Sequence, residues 1–86
     1  MNTMNSDWKA LLSRRLRAEA QAQGYRQVDV CNIRAMETRP VKMYAVVVAD
    51  CAIYVVTGHS ENEMASGLRE RIALQVGYGE KCVAKI

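Results

Sequence analysis

The sequence contains 86 residues, of which 50% are apolar and 24% are charged, with a formal net charge of +3. A chain of this length can form one domain around one hydrophobic core, so we expect a single domain over residues 1–86. The ordinary apolar content and the lack of internal repeats exclude a disordered chain and a repeat solenoid. Three widely spaced cysteines, Cys31, Cys51 and Cys82, argue against a disulfide framework or a CxxC zinc site.

The first predicted element is a helix from about Asp7 to Gln23, because Asn5 or Ser6 can cap its start and Gly24 can end it. Arg15 and Glu19 interrupt its apolar stripe. One interpretation is that the two side chains pair along the helix at the edge of the core, with their charged groups in water. The other is that this end of the helix faces a partner. The predicted stripe consists of Trp8, Leu11, Leu12, Leu16, Ala18 and Ala22.

The segment from Tyr25 to about Met36 is typical of a strand with an irregularity. Val28 and Val30 stand at even-numbered positions, whereas Cys31, Ile33 and Ala35 stand at odd-numbered positions, and the two sets face opposite sides of a regular strand. A regular strand cannot turn both sets inward, so we expect either a β-bulge near Cys31 and Asn32 or a strand buried in part on both faces.

Two valine-rich runs, Met43 to Ala49 and Ala52 to Thr57, predict a β-hairpin with a tight turn at Asp50 and Cys51. Asp-Cys is not a favoured pair for a two-residue turn, so a loop one or two residues longer is the alternative.

The second predicted helix runs from about Glu61 to Val76, because Ser60 and Glu63 match a capping box. A short last strand is predicted from Lys81 to Ile86. The predicted fold class is therefore α+β, a small antiparallel sheet with two helices in the order α-β-β-β-α-β. The apolar stripe of the second helix consists of Met64, Ala65, Leu68, Ile72 and Val76.

The predicted hairpin is apolar on both sides, although an open sheet whose two helices share one face should alternate apolar and polar residues. Either the helices lie on opposite faces, or the N-terminal segment covers the sheet, or the second face binds a twin or a different protein. The candidate interface residues on that face are Tyr44, Val46, Val48, Ile53 and Val55, and the opposite parity carries Ala45, Val47, Ala49, Ala52, Tyr54 and Val56.

Catalysis and cofactor binding have little support in the sequence. A cysteine with His59 could form a nucleophile and base, but no third orienting group or motif accompanies them. A phosphate at the start of the second helix would be repelled by Glu61 and Glu63. We therefore expect a non-enzymatic protein without a catalytic site, a metal site or a cofactor.

Membrane insertion is not expected, because Asp50 interrupts the most apolar stretch, Met43 to Thr57. The polar start, Met1 to Asp7, shows no secretory signal, so the expected location is the cytoplasm.

The first helix carries a second candidate interface, Arg14, Arg15 and Arg17, which with Lys9 could contact phosphates or an acidic protein. Eight basic and four acidic residues lie in residues 1–42, against four basic and five acidic residues in residues 43–86. Attraction for an anionic partner would therefore come from the first half of the chain. Such cations are also common on a solvated helix face.

The order helix, three strands, helix, with Gly58-His59-Ser60 leading into the second helix, resembles the double-stranded RNA-binding domain over roughly residues 7 to 76. The resemblance implies RNA binding, which is the alternative function. That family grips phosphates with lysines at the start of its second helix, where this chain has Ser60-Glu61-Asn62-Glu63-Met64.

The favoured function is a small protein-binding module that forms a homodimer or docks on another protein. In its compactness, its lack of catalytic groups and its excess apolar sheet surface, the chain resembles the small phage and mobile-element proteins that inhibit host defence by occlusion, the anti-CRISPR proteins among them. That resemblance implies an inhibitor that covers the surface of a partner protein.

Overall fold

The computed structural model describes residues 3–74, with side chains from residue 7 onward. Two helices and a three-stranded antiparallel sheet follow one another as α1 (Thr3–Ala22), β1 (Val28–Met36), β2 (Lys42–Ala49), β3 (Ala52–Gly58) and α2 (Glu61–Leu74). The strand order is β1-β2-β3. The predicted α+β class is confirmed over this range. The predicted last strand, Lys81 to Ile86, and the predicted end of the second helix at Val76 lie outside the described residues.

Helix α1 begins at Thr3, earlier than predicted, so Asn5 and Ser6 lie inside the helix and their assignment as caps is wrong. Its end is as predicted. Gly24 has a φ of 107°, and its N–H donates to the carbonyl of Gln21 at 3.0 Å. The N–H of Tyr25 donates to the carbonyl of Ala20 at 3.2 Å. These two bonds form a Schellman motif, in which a left-handed residue satisfies the last carbonyls of the helix.

The buried face of α1 is centred on Leu16. Leu12, Leu16 and Ala20 are fully buried, and Trp8 packs at the edge of the same core. The predicted stripe was wrong at three positions, because at about 100° per residue they lie roughly 120–160° around the helix from Leu16. Leu11 is 50% exposed, and Ala18 and Ala22 are also exposed.

Strand β1 contains the predicted β-bulge. Cys31 pairs with Val46 and Arg34 pairs with Tyr44, so Asn32 and Ile33 together stand opposite the single residue Ala45. Asn32 has a φ of 53°, the left-handed conformation that one type of bulge uses. Asn tolerates this conformation better than most residues that carry a side chain.

The β2–β3 connection is a two-residue turn, because Ala49 pairs directly with Ala52. The tight turn predicted at Asp50 and Cys51 is therefore confirmed, and the alternative of a longer loop is wrong. Asp50 adopts a φ of 54°, and its carboxylate accepts backbone hydrogen bonds from Arg26 at 3.3 Å and from Gln27 at 2.9 Å. These contacts to the chain that enters β1 hold a turn that the residue types alone do not favour.

Helix α2 starts with the predicted cap. The Ser60 hydroxyl accepts a hydrogen bond from the N–H of Glu63 at 3.1 Å. The Glu63 carboxylate accepts from the N–H of His59, one residue before the position expected in a capping box. Met64, Ala65 and Leu68 are buried, and Ile72 packs at the core edge. The described part of the predicted stripe of α2 is thus confirmed.

Both helices pack on the same face of the sheet. One core cluster joins the buried residues of α1 and α2 to a single parity of the hairpin. The alternative in which the helices lie on opposite faces is therefore wrong for the described residues. The buried hairpin residues are Ala45, Val47, Ala49, Ala52, Tyr54 and Val56.

Candidate protein interface

The sheet presents a second face, turned away from both helices, which we call the outer face. Side chains alternate between the two sides of a strand, and directly paired residues share a side, so the register assigns each residue to a face. The outer face carries Asp29, Cys31, Arg34, Met36, Lys42, Tyr44, Val46, Val48, Ile53, Val55 and Thr57.

The centre of the outer face is apolar. Its middle row crosses the three strands as Cys31, Val46 and Val55, and the neighbouring row contains Val48 paired with Ile53. Ile53 is 37% exposed, and the other four residues of these rows are neither buried in the core nor fully exposed. All five sheet residues predicted as an interface lie together on this face. Their role in binding stays a prediction.

Charged side chains flank the apolar centre with opposite signs. Asp29 pairs with Val48 in the row on one side of the middle row. Arg34 pairs with Tyr44 in the row on the other side, and its guanidinium carbon lies 4.6 Å from the centroid of the Tyr44 ring. Such cation–π stacking contributes about 0.5–1 kcal/mol at an exposed site and keeps the guanidinium close to the sheet. The outer face therefore has an acidic end and a basic end.

The second predicted interface lies elsewhere. Arg14, Arg15 and Arg17 are exposed on α1, which packs on the inner face of the sheet, so they do not join the predicted sheet residues on one surface. Glu19 forms its ion pair with Arg69 of α2, at 3.0 Å, and not with Arg15 as one interpretation of the sequence expected. Hydrogen bonding to Arg69 holds the pKa of Glu19 below its usual value, against an opposing effect of partial burial. The charge of Arg15 lowers this pKa only by a smaller amount.

Sequence reasoning missed the residues that β1 contributes to the outer face, above all Asp29 and Arg34. Simple alternation places Arg34 on the side opposite to Asp29. The bulge at Asn32 reverses that assignment and places both residues on the outer face. The signal was present, because the same bulge was expected from the mixed parity of the valines and Ile33. If the change of face at the bulge had been applied to the charged residues of β1, Asp29 and Arg34 would both have been assigned to the outer face.

Within residues 7–74, the candidate cysteines and His59 do not assemble into a site. Cys51 lies in the turn before β3 and His59 follows the other end of that strand, while Cys31 lies on the outer face. The Nδ1 atom of His59 is 2.9 Å from the carbonyl oxygen of Val41. Among the described residues, no group of three or more His, Cys, Asp or Glu side chains could hold a metal ion.

Neither helix, over residues 3–74, has the length and apolar character needed to cross a membrane. No protein-family model, no curated protein and no solved structure matched the chain.

Proposed function

We propose that this chain is a small protein-binding module and that it binds through the outer face of its sheet. One observation carries the proposal: both helices pack on the inner face, while the outer face places a continuous apolar centre between charged ends. Contiguous exposed apolar surface on a small protein commonly marks an association site. An apolar centre with a polar rim is also the usual composition of a protein interface.

On this proposal the chain acts by covering the surface of a partner and not by catalysing a reaction. Small phage and mobile-element inhibitors of the occluding type act in this way. The mode of action proposed for this chain is therefore that of an inhibitor of this class. The rigid β-sheet suits such a role, because its side chains are already ordered by neighbouring strands. Less conformational entropy is therefore lost on binding than when a loop must become ordered.

Photo-crosslinking in cells of the source organism tests the proposal, because it captures a bound protein whatever its identity. A photoreactive amino acid replaces Val48 on the outer face, and the same amino acid replaces Ala18 on the exposed side of α1 as a matched control. We expect position 48 to yield a discrete protein adduct that position 18 does not yield. Mass spectrometry of the adduct identifies the protein attached.

The substitution Val46→Glu is then added to the protein that carries the photoreactive amino acid at position 48, and it shows whether binding depends on the apolar centre. A carboxylate there must lose its hydration when a partner covers it, so the adduct should disappear. Ala18→Glu adds the same charge to the other side of the molecule and should leave the adduct in place. Circular dichroism checks that both variants keep the helices and the sheet. Equal labelling at positions 48 and 18, or no adduct at either, would show that the outer face is not an interface.

A further inference from the structure

We infer that the partner on the outer face is a second copy of this chain, packed face to face with its strands antiparallel to those of the first. This inference rests on the proposed function and adds the identity and the orientation of the partner. The twofold axis lies between the two sheets and crosses the strands along the middle row, Cys31, Val46 and Val55.

The charges on β1 favour this orientation. Along β1, Asp29 is the nearest outward-facing residue before Cys31, and Arg34 is the nearest outward-facing residue after it. The two charges therefore lie at equal distances on either side of the middle row. The spacing is equal only because the bulge adds a residue between Cys31 and Arg34. Rotation about the proposed axis exchanges these two positions. Each Asp29 therefore faces Arg34 of the second copy, and symmetry forms this contact twice.

The apolar residues also match under this rotation. Each middle-row residue faces its own twin, so Val46 lies over Val46 and Val55 over Val55. Val48 of one copy faces the Tyr44 ring of the other. Two sheets stacked in this way lie about 10 Å apart with their strands within about 30° of each other, which allows apolar side chains from the two faces to interdigitate.

The other twofold packing of the same faces fits less well. An axis along β2 places β1 of one copy over β3 of the other. Asp29 then faces Ile53 and Arg34 faces Thr57, so both charges lose hydration without gaining an opposite charge. Uncompensated burial of charge is costly, whereas paired charges across an interface fix its orientation. The arrangement of the charges thus favours the antiparallel dimer.

The dimer should be weak, because three short strands offer less area than a standard protein interface buries. Its population should therefore rise with protein concentration. Sedimentation equilibrium over about a hundredfold range of concentration measures the dissociation constant under conditions where mass action sets the fraction of dimer.

Charge reversal at the two positions tests the orientation. We expect Asp29→Arg alone and Arg34→Asp alone each to weaken the dimer by about tenfold or more, because each places like charges together twice. The double variant should return to within about threefold of the original dissociation constant. Arg34→Asp also removes the stacking on Tyr44 within one subunit. Recovery in the double variant must therefore come from the contact between copies. Arg17→Asp on α1 is the matched control and should leave dimerisation unchanged.

A protein that stays monomeric at every concentration, or a dimer that the double variant fails to restore, overturns the inference. Photo-crosslinking at position 48 separates this failure from that of the proposed function. An adduct of two copies supports both proposals, whereas an adduct with a different protein supports the protein-binding function and overturns the homodimer. The lack of a specific adduct overturns the binding function itself.

Discussion

Glu19 of α1 and Arg69 of α2 join the two helices through two hydrogen bonds, of 3.0 Å and 3.3 Å, between carboxylate and guanidinium. The Glu19 side chain is 11% exposed, whereas that of Arg69 is 57% exposed. Gln23 adds a third hydrogen bond to the same carboxylate, at 3.1 Å. The pair therefore links α1 to α2 beside the core that the two helices share.

The pH dependence of stability should report this pair. The pKa of Glu19 is lowered in the folded protein, mainly by the hydrogen bond from Arg69, so the ionised carboxylate stabilises the fold. That contribution is present above the ordinary Glu pKa of about 4.5 and is lost as the pH falls through the lowered folded-state pKa. We expect Glu19→Gln to unfold at lower urea concentration than the original protein at pH 7. The difference should shrink as the pH falls below about 4.5. A difference that is the same at pH 7 and pH 3 would contradict this assignment.

Two glycine substitutions should have opposite effects on stability. A Cβ atom at Gly58 would lie 2.9 Å from Cγ of Met64 and 3.2 Å from its backbone nitrogen, so Gly58→Ala should destabilise the fold by about 1–3 kcal/mol. Gly67 lies inside α2, where a Cβ atom meets nothing described within 4 Å. Gly67→Ala should stabilise the fold by about 0.5–1 kcal/mol through its higher helix propensity. Urea unfolding measures both, and equal effects would contradict the close approach of β3 to α2.

The bulge residue Asn32 should tolerate glycine and resist a β-branched residue. Its left-handed φ of 53° suits Gly and Asn but not Val. Asn32→Val should therefore cost about 1–2 kcal/mol, whereas Asn32→Gly should change stability by less than about 0.5 kcal/mol. Thermal unfolding of the two variants checks this order. Val and Gly variants of equal stability would show that the bulge does not require the left-handed conformation.

Reversing Arg14 and Arg17 to Glu should leave the outer-face association unchanged, because these residues lie on the helix packed against the opposite face. Sedimentation of the double variant measures this.

The same protein also tests nucleic-acid binding. If α1 contacts phosphates, the original protein should shift RNA at low salt, the shift should weaken steeply with added salt, and the variant should abolish it. The lack of any shift by the original protein at low salt excludes that alternative function.

Local patterns predicted most of the elements, because each depends on neighbouring residues. Gly24 ends α1, Ser60 and Glu63 start α2, and the mixed parity around Cys31 indicates the bulge. The start of α1 at Thr3 was not predicted, and the residue types left the length of the turn at Asp50 open. The turn depends on hydrogen bonds to Arg26 and Gln27, more than twenty residues away in sequence, which no local pattern reveals.

The candidate site could be predicted in part for the same reason. The outer parity of β2 and β3 follows from alternation alone, so Tyr44, Val46 and Ile53 were placed together correctly. The charged ends required the face of each β1 residue, which changes at the bulge. The partner of Glu19 also lies fifty residues away, and local spacing offered only Arg15.

The bulge separates two properties of β1 that a regular strand keeps linked: the curvature of the strand, and the face of the sheet on which each side chain lies. Asn32 is the surplus residue, since Cys31 and Ile33 already occupy successive outward and inward positions against Val46 and Ala45. A chain shortened by Asn32 alone would keep every remaining β1 side chain on its present side, and it would lose only the extra bend and twist that a bulge produces. The curvature of the sheet can therefore be altered at this position without exchanging the residues that face the helices for those that face away.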